Sequence, residues 1–230
     1  MAGCCEKMIG GGGDGSFVPV SWQGGPQLAG SFLGGFKLLI CCADSRSKGA
    51  GIITLLPEVY DAVNDGVEPE NQIPLIAAGG IMEQRGAGAA MVLGAAGVAM
   101  GTRFLASREA TINRGYQRHI VDASDGGQNT VRTQLYNWLR GERNWPAGWD
   151  ARGLVNESWR DHDKGVEFER NRELYAEAGK KGEEGWGERG RMATYAGTGV
   201  GLVREVKGAG EIVSEVRDGI RKVIRASNEL

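Results

Sequence analysis

Along residues 49–123 apolar runs alternate with helix-like stretches, and glycines mark the junctions between them. Gly51-Ile-Ile-Thr-Leu-Leu56 reads as an apolar strand or loop, and Pro57-Glu-Val-Tyr-Asp-Ala-Val63 as a helix with proline near its start. Ile73-Pro-Leu-Ile-Ala-Ala78 has the length and continuity of a short, fully buried strand, which Gly79-Gly80 end. Glu83–Ala95 follows with the alanine content and the Met91, Leu93, Ala95 spacing of a packed helix. Gly97-Val-Ala-Met100 is the next strand, Gly101-Thr102 close it, and Phe104–Ala123 reads as helical. Strand, helix, strand, helix predicts a parallel α/β sheet with right-handed crossovers.

The pattern changes on both sides of this block. Beyond it, Thr130–Arg140 places Val131, Leu135, Trp138 and Leu139 on one face of a predicted helix. Asn144–Ser158 reads as an aromatic loop containing Pro146, Glu167–Lys181 as a charged amphipathic helix, and Gly182–Thr194 as a glycine-rich connection containing Trp186. A last helix over Gly210–Arg225 puts Ile212, Val213, Val216, Ile220, Val223 and Ile224 on one stripe, read as core. Before the block, residues 1–42 carry only four charged side chains, Glu6, Lys7, Asp14 and Lys37, and sustain no period beyond a short strand or turn at Phe32–Ile40. The division is therefore an irregular Gly/Cys-rich segment over residues 1–48 and an α/β region over 49–230, with a helical excursion at about 124–194.

Composition narrows the function classes. Twenty-seven basic and 29 acidic side chains give a net charge of −2, with the two signs interspersed, so no cationic field is available for nucleic acid. The longest apolar run, Ala87–Met100, is broken by glycines and falls short of the roughly 20 residues a membrane helix needs. The opening residues lack the pattern of a secretory signal, which leaves an intracellular, cytoplasmic location as the expectation. The four cysteines form adjacent pairs, Cys4-Cys5 and Cys41-Cys42, not the spacing that sets two thiolates on one metal, so no metal site is expected. Glycine, at 39 of 230 residues, is the anomaly. Gly10, Gly12 and Gly15 fit a dinucleotide-type spacing, but no strand precedes them and no helix follows, so that match carries nothing. Gly197-Thr-Gly-Val-Gly201 lacks the Lys-Ser/Thr pair of a Walker loop and is read as a turn. Trp138, Trp145, Trp149 and Trp159 are read as packing for the helical excursion.

The candidate chemistry lies at two consecutive strand ends, Gly79-Gly80 and Gly101-Thr102. Glycine lets backbone N–H groups approach an oxyanion, a following helix N-terminus adds its positive dipole end, and Thr102 adds a hydroxyl donor. In eight-stranded α/β barrels, a cofactor phosphate commonly sits between the loops after strands seven and eight, which this pair matches in order and spacing.

Ile73-Pro-Leu-Ile-Ala-Ala-Gly-Gly-Ile81 and Val98-Ala-Met-Gly-Thr-Arg-Phe-Leu105 closely resemble the nitronate monooxygenase family, formerly called 2-nitropropane dioxygenases. Gly49–Val63, and Ser124-Asp-Gly-Gly127 through Thr194-Tyr-Ala-Gly-Thr-Gly-Val-Gly201, are similar to its fungal-type members, so the resemblance covers about 49–220. It implies an FMN-dependent (β/α)8 TIM-type barrel that oxidises alkyl nitronates with O2 to a carbonyl compound and nitrite. By the same resemblance Gly79, Gly80, Gly101 and Thr102 match the FMN phosphate loops. The family's Gly-Gly-His turn, whose histidine is thought to be the catalytic base, is replaced by Ala43-Asp-Ser-Arg-Ser-Lys48, and Asp44 is not taken as a substitute. No catalytic residue is therefore assigned, and His119 and His162 are read as surface or structural. Only the last two or three βα units of a barrel are expected here, followed by a helical C-terminal region. Residues 1–48 look foreign to the family, as if from another reading frame, an intron or a rearranged exon. The expected product is a nitronate monooxygenase-like flavoprotein of impaired activity. The alternatives are a non-catalytic truncated fragment, self-associating through its open barrel edge, or another FMN-dependent barrel oxidoreductase of the enoyl-reductase or dehydrogenase kind.

Overall fold

The computed structural model describes the backbone of strands at 18–21, 27–33 and 36–42, together with residues 50–145 and 149–227. They divide into two compact units. The first holds the three early strands, residues 50–101 and the end of the last helix from 219; the second is 102–218.

The first unit is built on a five-stranded sheet in the order β1 (Val18–Ser21), β2 (Gln27–Leu33), β3 (Phe36–Cys42), β4 (Leu75–Ala78), β5 (Gly97–Ala99). β1, β2 and β3 pair antiparallel, whereas β3, β4 and β5 are parallel neighbours in chain order. Helix α1 (Ile52–Asn64) joins β3 to β4, and α2 (Gln84–Val92) joins β4 to β5. Leu75, Ala77 and Ala78 of β4 are buried, as expected of a parallel strand covered on both faces. Three parallel strands advancing one place at a time, each linked by a helix, wind in one sense. The unit is thus α/β as the sequence predicts.

Two expectations for this unit are corrected. Residues 18–42 supply three strands where an irregular segment was expected; Cys41 and Cys42 fall in β3, in register with Ala77 and Ala78. Cys4-Cys5 and the Gly10–Gly15 match lie outside the described residues. The stretch Ile52–Leu56 is helical, not strand or loop, so Pro57 lies inside α1 and not near its start. The Gly51 carbonyl accepts from Thr54 and Leu55 N–H, which starts the turn early, and Leu55, Leu56 and Val59 then form one buried face. Pro57 leaves the Ile53 carbonyl without its usual helical donor.

The second unit begins with α3 (Gly101–Leu105), whose first residue belongs to the first unit, and α4 (Arg114–Asp122). The single helix expected over Phe104–Ala123 is interrupted, because Ser107 forms a bridge with Lys207 and Asn113 caps α4 through its side chain. After α5 (Gly126–Asn129), Thr130–Thr133 is a strand, β6, paired antiparallel with β7 (Ala151–Leu154). This corrects both the helix expected from Thr130 and the loop expected over Asn144–Ser158. β-Branched Thr130, Val131 and Thr133 favour an extended backbone, and the Thr133 hydroxyl accepts from Leu135 N–H where α6 (Leu135–Leu139) begins. Leu135, Tyr136, Leu139, Tyr175 and Ala193 form a core on which Trp159 and Phe168 pack. Helices α7 (Glu157–Asp163) and α8 (Phe168–Gly179) and the connection through Trp186 complete the excursion.

The final helix, α9 (Ala209–Ser227), buries Ile212 and Val216, while Val213 is 52% exposed and so leaves the predicted core stripe. Among the described residues no helix is long and apolar enough to cross a membrane.

Candidate functional site

β4 and β5 are in register at Ile76↔Gly97, Ala77↔Val98 and Ala78↔Ala99. Gly80 and Gly101 each follow by two residues the last paired residues of these strands, Ala78 and Ala99, beyond the carboxyl ends where open α/β sheets place ligands. Gly79 and Gly80 both have left-handed backbone, φ 102° and 74°, which glycine adopts without steric penalty. Beyond them the chain dives back inside, with Ile81 and Met82 buried. Gly80 and Gly101 are exposed, and a Cβ built on either would meet nothing within 4 Å. An unobstructed stretch of main chain therefore follows each of two neighbouring strand ends. Gly101 also opens α3, whose first-turn N–H groups have no intrahelical acceptor.

Thr102 is buried, and its Oγ1 accepts a hydrogen bond from Gly197 N–H at 3.0 Å. The hydroxyl proton remains available for a second partner. The sequence suggested the donor but gave no sign of this acceptor role. Arg103, the next residue, is also buried, and its Nη1 donates to the carbonyls of Glu205 at 3.1 Å and Ala106 at 3.5 Å. Burial pulls its pKa down, against Glu215 and Glu205, which raise it. That guanidinium is committed to fastening the end of α3.

Neither histidine is placed as a base. His119 is 6% exposed, and its Nδ1 lies 2.9 Å from Thr194 Oγ1. Burial lowers its pKa to about 4, outweighing the nearby charges of Asp122 and Glu188, so the ring is neutral at pH 7. His162 is exposed and lies beside Trp159, with centroids 5.5 Å apart. The neighbourhood of the missing family histidine, Ala43–Lys48, lies outside the described residues. Among the described residues no three His, Cys, Asp or Glu side chains group as metal ligands.

Around His119 the segment Thr194–Leu202 is fastened repeatedly. Tyr116 Oη accepts from Tyr195 N–H at 2.8 Å and donates to Tyr195 O at 3.0 Å. Tyr195 Oη donates to Asn137 Oδ1 at 2.5 Å, and the Arg140 guanidinium stacks 5.1 Å from the Tyr195 ring centroid. Gly126 packs directly against the backbone of Thr198, since a Cβ there would lie 2.1 Å from the carbonyl oxygen. Gly197–Gly201 does form a turn, a 3-10 helix over Thr198–Leu202 with Gly197 at its start. Deeper in the excursion, Tyr136 Oη donates to Leu154 O at 2.6 Å, and burial pushes its pKa up. Trp159 packs on the core, and Trp138, Trp145 and Trp149 are half-buried.

Residues 28–219 match the family model described as nitronate monooxygenase, starting earlier than the resemblance visible by eye and taking in β2 and β3. The chain is 58% identical over 174 residues to nitronate monooxygenase npaC of Metarhizium robertsii, covering 76% of this chain and 47% of that protein. It is 36% identical over 179 residues to the nitronate monooxygenase of Neurospora crassa, covering 78% of this chain and 46% of that one. The chain thus spans about half the length of the curated relatives it matches. Among solved structures it is similar to FabK from Thermotoga maritima, with a TM-score of 0.61 and 29% identity over 84% of this chain and 57% of that one. It is also similar to a nitroalkane oxidase from Streptomyces ansochromogenes, with a TM-score of 0.59 and 25% identity over 82% of this chain and 53% of that one. The two strand-end motifs, the fold and a family match across most of the chain agree: the chain belongs to the nitronate monooxygenase family, of the fungal type.

Proposed function

We propose that this chain is the phosphate-gripping part of an FMN-dependent nitronate monooxygenase-type oxidoreductase, acting in the cytoplasm on alkyl nitronates and O2. The observation that carries the reading is that Gly80 and Gly101 each stand two residues past the paired ends of adjacent parallel strands, both exposed and both with open space where a side chain would stand. Such a cradle fits a phosphate, because main-chain N–H groups can reach its oxygens with no Cβ in the way. Gly79, Gly80 and Gly101 would supply main chain and Thr102 its hydroxyl proton. Bound there, the flavin would supply the redox chemistry that turns a nitronate and O2 into a carbonyl compound and nitrite. Sequential parallel β3, β4 and β5 support the further reading that this is the closing arc of a (β/α)8 barrel.

Neither histidine is placed to accept a proton in that reaction, since His119 is sealed and neutral and His162 lies on the surface. Slow or absent nitronate turnover is therefore expected. The two structural likenesses differ little in TM-score and do not choose between FMN-barrel chemistries; the 58% identity to a nitronate monooxygenase favours the nitronate reading.

An absorbance-monitored FMN titration of the purified chain tests the proposal, with Gly101→Asp as control. Saturable binding that the aspartate abolishes supports it, because a carboxylate would stand against the phosphate. A folded chain that binds no FMN refutes it. A second reading, a non-catalytic fragment that self-associates, is favoured by one observation: β5 ends the sheet, and its three residues are only half-buried. Size-exclusion chromatography decides it, since a chain that stays monomeric at high concentration removes that reading.

A further inference from the structure

We infer that Thr102 is a positioning residue that couples the bound phosphate to the Gly197–Leu202 turn. The inference rests on the FMN reading above. A threonine hydroxyl has one proton and two lone pairs. One lone pair is occupied by Gly197 N–H at 3.0 Å, so the hydroxyl's place and rotation are partly fixed before any ligand arrives. The proton is the part left to give, and a phosphate oxygen beside Gly101 is a strong acceptor for it. Donation to an anion polarises the hydroxyl and strengthens the bond it accepts, as in any chain of hydrogen bonds. Occupancy at the strand end is thereby felt at Gly197.

The arrangement around Gly197 makes that bond consequential. Upstream, Thr194 is held by His119, and Tyr195 by two hydrogen bonds with Tyr116. Downstream, Thr198 O is packed against Gly126. Gly197 lies between these fastenings, at the start of the 3-10 turn that carries the exposed side chains of Thr198 and Leu202. Its N–H is one the turn itself does not use, so the bond to Thr102 sets where the turn begins. Arg103 performs a parallel task, fastening Glu205 O. Two consecutive residues after the glycine thus address the segment beyond residue 196 through polar bonds to its backbone, and Thr102 is the one that does so as acceptor, with its own proton still to give.

Residue-resolved hydrogen exchange on the full chain, free and with saturating FMN, tests this in the wild type, Thr102→Val and Thr102→Ser. Without ligand, exchange of the Gly197 amide should quicken in Thr102→Val by roughly fivefold, the ratio expected for one net hydrogen bond, and stay near wild type in Thr102→Ser. With FMN, the Gly197–Leu202 amides should slow in the wild type and in the serine variant. In the valine variant FMN should still bind through the glycine backbone, more weakly, and leave those amides unchanged. FMN binding to the wild type without protection of Gly197 overturns the coupling and leaves the cofactor reading standing. Equal protection in Thr102→Val also overturns it. No FMN binding by any folded form overturns the cofactor reading, and the coupling falls with it. Should Thr102→Val fail to fold, the wild type and Thr102→Ser still decide, because binding with or without slowed Gly197 exchange is read in both.

Discussion

His119 gives the second unit a specific acid sensitivity. In the folded chain its ring is buried beside Thr194 and its pKa falls from 6.5 to about 4, burial being the main cause and the charges of Asp122 and Glu188 opposing it. A histidine with a depressed folded pKa contributes stability above its unfolded pKa, and that contribution is lost as pH falls from about 6.5 toward 4. Two and a half pKa units correspond to about 3 kcal/mol in full, of which about 2 kcal/mol is gone by pH 5. Other groups titrate in the same window, so the prediction concerns a difference between variants. In His119→Asn the amide can keep a partner for the Thr194 hydroxyl but cannot take up a proton. Urea unfolding followed by tryptophan fluorescence at pH 7 and pH 5 should show wild type losing about 2 kcal/mol more than His119→Asn over that interval. Equal losses in the two proteins would mean that the ring is not kept neutral by burial, and the reasoning about His119 as a structural residue would fail with it.

Three other perturbations probe separate parts of the argument. Gly126→Ala drives a Cβ to 2.1 Å from the Thr198 carbonyl oxygen and should destabilise the chain by about 3 kcal/mol; an unchanged urea midpoint would contradict the close packing. Tyr136→Phe removes the donor 2.6 Å from Leu154 O in a fully buried site, for an expected loss of about 1–2 kcal/mol in the same assay. Gly101→Ala should leave the urea midpoint unchanged or raised, because the added methyl meets nothing within 4 Å, while FMN affinity falls by roughly tenfold; a lost midpoint would show that folding needs the glycine.

Elements whose signal is carried by their own residues were legible in the sequence. The apolar run ending at Gly79-Gly80, the alanine-rich α2 and the charged α8 are found close to their predicted places, because burial or periodicity within one segment determines them. β6 was not legible. Val131, Leu135 and Leu139 do repeat at helical spacing, but Thr130–Thr133 is extended by a ladder to residues 151–154, a partner that no local window contains. The same limit hid the roles of Arg103 and Thr102. Both lie three-dimensionally beside residues about a hundred positions away, Glu205 and Gly197, and nothing in Gly-Thr-Arg announces an acceptor for one or two carbonyls for the other. Of the candidate site, the sequence names Gly79, Gly80, Gly101 and Thr102; that their two turns follow neighbouring parallel strands comes from the strand pairing.

The glycine excess resolves into positions with opposite geometry. At Gly115 and Gly126 an added Cβ would fall 2.3 Å and 2.1 Å from the backbone oxygens of Glu183 and Thr198, so packing alone accounts for the missing side chain. Gly80 has open space but a φ of 74°, and the turn accounts for it. Gly101 has neither reason: its φ is not left-handed, it opens a helix, and no atom stands within 4 Å of where its Cβ would be. In a helix interior a glycine weakens the fold relative to alanine by something on the order of 0.5–1 kcal/mol, and at Gly101 no contact among the described residues asks for one. What the position does offer is unobstructed main chain two residues past the end of β5, followed in the chain by a hydroxyl with a proton to donate. That is the environment a phosphate needs, and Gly101 is therefore the residue at which the folding account and the cofactor account predict opposite consequences of the same methyl group.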